Sequence, residues 1–135
     1  MSNELKPMTL LKAFAMSLGV INKIVGSGEP TKTNLKKAFK AVQVAEDYAV
    51  IMFNEGYLQY SDLRDVKGWL GKIGIMFLLV ESGKVEDQFV EDAYASMNKL
   101  ADFVSRHAML WRRGNYWERE VDDDDDDFGE QSFAM

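Results

Sequence analysis

Two segments near the end of the chain hold the residue types with most chemistry to offer. Trp111-Arg112-Arg113-Gly114-Asn115-Tyr116-Trp117-Glu118-Arg119 places two tryptophans, a tyrosine and three arginines within nine residues. Trp and Arg combine large contact area with directed hydrogen bonds, a pattern that suits a protein-contact hot spot. Aromatic rings interleaved with arginine also stack on and neutralise single-stranded nucleic acid. The structural alternative is that Trp111 and Trp117 cover the open end of the fold while the arginines stay solvated. Just beyond, Asp122, Asp123, Asp124, Asp125, Asp126 and Asp127 form an unbroken acid run, followed by Phe128 and Phe133. Six adjacent carboxylates cannot enter a core, because each would need a buried partner. A like-charged block of that length stays solvated and behaves as an interaction tail, with the two phenylalanines as docking groups.

Catalytic chemistry is sparse by comparison. His107 is the single histidine and there is no cysteine, so disulfides, thiolate metal sites and thiol nucleophiles are excluded together. His107 follows Phe103 by one helical turn and reads as a boundary or core residue. Gly68, Gly71 and Gly74 lie inside an apolar helical pattern and lack the Lys-Ser or Lys-Thr of a phosphate loop. Glu86, Asp87, Glu91 and Asp92 crowd the start of a helix, where the macrodipole favours them. Their spacing does not converge four carboxylates, and no Glu-x-x-His element accompanies them. The aspartate run lacks the turn glycine and alternating ligands of a calcium loop. These patterns predict a protein that is not an enzyme, with no cofactor and no metal site.

Charge is distributed unevenly along the chain. Of 22 acidic residues seven lie from Asp122 onward, where there is no base, so the preceding residues hold 15 acids against 16 bases. The net charge of −6 therefore belongs to the tail, and the body is near neutral. A chain of 135 residues that is 47% hydrophobic and 28% charged suits one globular domain. The start, Met-Ser-Asn-Glu-Leu-Lys-Pro, lacks the pattern of a secretory signal, and Trp69 to Val80 is too short to span a bilayer. A cytoplasmic protein that does not bind membrane is the expectation.

Four helices are needed to position these segments. Leu11, Phe14, Ala15, Leu18, Ile21 and Val25 recur at helical spacing and predict a helix from Thr9 to Val25, closed by Gly26-Ser-Gly28-Glu-Pro30. A second helix, from Thr33 or Asn34 to Asn54, carries the stripe Leu35, Phe39, Val42, Ala45, Ala49 and Phe53. Lys36, Lys37 and Lys40 lie in its N-terminal half, against the direction the macrodipole favours. With Lys32 they are either a second basic patch or simply a solvated lysine-rich helix face. A third helix should start at Ser61 or Asp62 and end at Val80 or Glu81. Its three glycines suggest a face where another backbone approaches closely, either within the chain or in a homo-oligomer. A fourth runs from Val85 to Trp111 with Ala93, Met97, Val104 and Ala108 on its stripe. Short connectors then give an all-α, single-domain antiparallel four-helix bundle over 1–120 with a flexible acidic tail over 121–135.

The acid run from Asp122 to Phe128 resembles the acidic C-terminal tips of single-stranded DNA-binding proteins, which end in aspartates and an aromatic residue. The resemblance extends at most to Phe133. The body reads as helical where those proteins use a five-stranded barrel, and this chain closes with Ala134-Met135. The leading expectation is a non-enzymatic protein-interaction module, such as a viral or phage accessory or virion component. It would bind another protein through Trp111, Arg112, Arg113, Tyr116, Trp117 and Arg119, through Asp122–Phe133, or both. The alternative is a nucleic-acid-associated protein whose arginines are shielded by the folded-back tail, or a DNA mimic acting through that tail.

Overall fold

The structure, a computed structural model, describes residues 6–27, 31–84 and 86–112. It consists of four α-helices, α1 (Pro7–Ser27), α2 (Lys32–Asn54), α3 (Tyr60–Ser82) and α4 (Asp87–Arg112), with no strand among the described residues. Capping chemistry sets several of the boundaries. Thr31 is the N-cap of α2 and its hydroxyl accepts the Asn34 N–H at 3.1 Å, so the helix starts slightly earlier than the sequence predicts. At α3 the cap is Gln59, not Ser61 or Asp62. Asp62 instead reaches back from the first turn to accept the Gln59 N–H at 3.1 Å. The other end of α3 is closed by Gly83, whose φ of 76° is the left-handed conformation that favours glycine. There the Gly83 and Lys84 N–H groups take up the Val80 and Leu79 carbonyls.

Each helix packs on two neighbours, α1 on α2 and α4, and α3 on α2 and α4, with no packing across the diagonal. The Phe39–Phe77 edge contact at 6.1 Å and the Lys67–Glu46 ion pair at 3.7 Å run α2 and α3 in opposite directions. Phe14 meets Phe103 at 5.8 Å, while Leu18 and Asn22 share a small cleft with Met97 and Ala101, so α4 opposes α1. The result is the antiparallel bundle expected from short connectors.

The core face of α2 is not quite the stripe predicted for it. Ala38, Ala41, Ala45, Ala49 and Met52 are buried, while Phe39, Val42 and Phe53 are only half-buried at the flank. A line of alanines lets neighbouring helices approach closely, and the larger side chains fill the edges of that seam. His107 is buried in α4, where Nδ1 lies 3.0 Å from the Phe103 carbonyl oxygen and the ring stands edge-on to Trp111.

The glycines of α3 require a correction. A methyl group added at Gly68, Gly71 or Gly74 would meet nothing within 4 Å. Among the described residues no backbone approaches them, so packing between these helices does not explain them. Gly68 and Gly71 share the outer face of α3 with Ile75 and Leu78, which are 46% and 55% exposed.

Candidate functional site

The side of the bundle where α1 meets α2 carries an open groove of about 810 Å³. Its α1 wall is Ala13, Met16, Ser17 and Val20, a stripe at offsets of three, four and seven that forms one helical face. Its α2 wall is Lys36, Lys37, Lys40, Ala41, Val44 and Tyr48, again successive turns of one face. The helices are antiparallel, so Ala13 and Tyr48 share one end of the groove, and Val20 and the lysines share the other.

Burial shows why a groove forms there. Ser17 is buried and its hydroxyl donates to the Ala13 carbonyl at 3.3 Å, so it fills little of the seam. Ala41 is buried and small, and together these residues leave a shallow trough between the two helices. Met16 and Val20 stand beside it, 72% and 43% exposed. Among the described residues no acid lines the groove, and the charge there comes from Lys36, Lys37 and Lys40. The ion pairs Arg64–Asp65, Lys67–Glu46 and Arg106–Asp102, formed among the described residues, involve none of those three lysines. An apolar floor with cations gathered at one end is suited to an amphipathic, acidic segment.

Trp111 stands apart from the other predicted contact residues. It is 1% exposed and packs against Tyr57 at 6.1 Å and His107 at 5.4 Å, closing the end of the bundle near the α2–α3 connector. Its ring is thus a packing element, and a partner has no access to it in this arrangement. Arg112 is half-buried beside it. Arg113, Tyr116, Trp117, Arg119, the aspartates from Asp122 to Asp127, Phe128 and Phe133 lie outside the described residues. Lys36, Lys37 and Lys40, noted in the sequence as part of a basic patch, come together at the groove. Its apolar floor was missed, because Met16 and Val20 fall off the core stripe of α1. The available signal was that α1 contains no acid and is apolar on two faces. By length and composition alone α1 would suffice to cross a membrane, yet only 39% of that span is buried in the bundle.

Comparison with protein-family models, with curated proteins and with solved structures finds no match for this chain.

Proposed function

We propose that this chain is a non-enzymatic protein-interaction module that receives an acidic amphipathic helix of a partner protein in the α1/α2 groove. The observation that carries the reading is the apolar floor with Met16 exposed at its centre and three lysines at one end. A helix laid in such a groove presents apolar anchors at offsets of three, four and seven, and acids on the turn that meets the lysines. From Lys36 to Tyr48 the α2 wall runs twelve residues, or ~18 Å, enough for about three turns of a bound helix. The segment from Arg112 to Arg119 belongs to the same proposal as a further contact. An apolar floor favours protein over nucleic acid, whose phosphate backbone would leave Met16 and Val20 uncovered.

The test compares wild type with Met16→Glu/Val20→Glu, both at exposed positions. Affinity capture from nuclease-treated host lysate is followed by hydrogen exchange on the recovered complex. The proposal expects a protein retained by wild type, lost by the double variant, and protecting residues 13–20 and 36–48. Nucleic acid recovered alone from untreated lysate, with binding that falls steeply as salt rises, would replace it by the nucleic-acid alternative.

A further inference from the structure

The chain itself contains a segment with the chemistry the groove calls for. We propose that residues 116–128 dock into the α1/α2 groove of the same molecule. Tyr116 and Trp117 would lie on the apolar floor near Ala13 and Tyr48, with the run Asp122–Asp127 on Lys36, Lys37 and Lys40. This rests on reading the groove as a docking surface and does not require an external partner to be known.

Three observations support the assignment. The first is charge. The groove's charged residues are three lysines, and the net negative charge of the chain resides in the acid run. The second is order. Because Phe14 of α1 faces Phe103 of α4, Arg112 ends beside the start of α1, at the Ala13–Tyr48 end of the bundle. The apolar end of the groove is therefore nearer to Arg112 than the lysine end is. The sequence after Arg112 presents Tyr116 and Trp117 before Asp122, in that same order. The third is reach. From the start of α1 to Val20 is thirteen residues of helix, ~20 Å, and crossing α1 adds about one helix diameter of ~10 Å. The direct path is roughly 25 Å, and the ten residues from Arg112 to Asp122 extend to ~33–36 Å.

The consequence is a tethered competitor. An intramolecular segment acts at an effective concentration in the millimolar range, so even weak docking covers the groove part of the time and competes with an acidic partner. The attraction between carboxylates and exposed lysines is screened by salt, which makes the contact adjustable.

The chain has no cysteine, so Gly129→Cys supplies a single attachment point for a nitroxide label next to Phe128. In the full-length protein, paramagnetic broadening of amide signals reports which residues the tail visits. The expected result is broadening concentrated on residues 13–20 and 36–48, unchanged on tenfold dilution. It should be reduced several-fold both by Lys36→Glu/Lys37→Glu/Lys40→Glu and by replacing Asp122 to Asp127 with Asn. Both variants alter exposed or tail positions, and circular dichroism checks that the bundle is retained. Broadening that is uniform, centred elsewhere, or indifferent to both variants would overturn the proposal. So would broadening that fades on dilution, because the occupant would then be the tail of a second copy. An unlabelled acidic helical peptide added to the same sample separates this reading from the previous one. Shifts at residues 13–20 and 36–48 with no tail broadening would keep the groove and reject its own tail as occupant.

Discussion

Replacing Trp111 with alanine distinguishes a packing residue from a contact residue, since the sequence supports either role and the structure buries the ring. An indole of ~150–250 Å² buried at about 25 cal/mol per Å² corresponds to roughly 4–6 kcal/mol of transfer free energy. The Tyr57 and His107 ring contacts at 6.1 and 5.4 Å add about 0.5–1.5 kcal/mol each beyond area. Partial collapse of the site and a compact unfolded state reduce these figures, and measured Trp→Ala losses are ~3–5 kcal/mol. Domains of this size have ~5–15 kcal/mol in total, so the change removes a large share. At about 4 °C per kcal/mol the melting temperature should fall by roughly 12–20 °C. Thermal unfolding followed by circular dichroism, with calorimetry to check two-state behaviour, is the assay. Trp111→Phe should recover most of the loss. An unchanged melting temperature with impaired partner binding would refute the packing assignment and return Trp111 to the contact surface.

The glycines of α3 and its cap should respond in opposite directions. Gly68→Ala and Gly71→Ala, exposed helix-interior positions with open space around them, should each stabilise by up to about 1 kcal/mol in chemical denaturation. Gly83→Ala, at φ 76°, should instead lose ~1–2 kcal/mol. Should sedimentation show an oligomer that the Gly68 and Gly71 variants dissociate, the Gly68–Gly71–Ile75–Leu78 face would be a self-association surface. Thr31→Ala removes the hydroxyl that accepts the Asn34 N–H and should lower stability by about 1 kcal/mol. Met16→Glu should change stability in chemical denaturation by no more than ~0.5 kcal/mol, as expected at an exposed position. A larger drop would mean the groove is more closed in solution than this packing shows.

Much of the fold was readable because its determinants are local or periodic. On α1, Leu11, Phe14, Leu18 and Ile21 are buried where the spacing of apolar residues puts them. On α4, Ala93 and Ala108 are buried as expected, but Met97 and Val104 are half-buried and the core face turns to Ser96, Leu100, Phe103 and His107. The misses also have physical causes. Phe39, Val42 and Phe53 outrank alanine in hydrophobicity, so a stripe read from side-chain size turns α2 toward its flank and away from its alanine seam. Ser61 and Asp62 are good caps by residue type, yet Gln59 takes that place because Asp62 works from inside the first turn. The glycines of α3 imitate a close-packing motif, and only the three-dimensional arrangement shows that none of the described residues lies against them.

The groove was harder to see, because it depends on which apolar residues are left over once the core is filled. The lysines were noticed for opposing the helix macrodipole, but that effect fades beyond the first turn. It falls on Lys32, which does not line the groove, more than on Lys36, Lys37 or Lys40. Their significance comes from the neighbours α1 supplies. Covering one exposed Met or Val side chain fully is worth ~1.5–3 kcal/mol, and each exposed ion pair adds ~0.2–1 kcal/mol. Ordering an extended segment offsets much of that gain, leaving a free energy near the ~4 kcal/mol of a millimolar complex. At a millimolar effective concentration such a tether holds the groove about half covered. A micromolar partner then has a thousandfold tighter grip and displaces it. Strengthening the tail by extending its acid run should therefore weaken the partner, and replacing its aspartates with asparagine should do the reverse. An acid run that only kept the protein soluble would leave partner affinity unchanged in both cases.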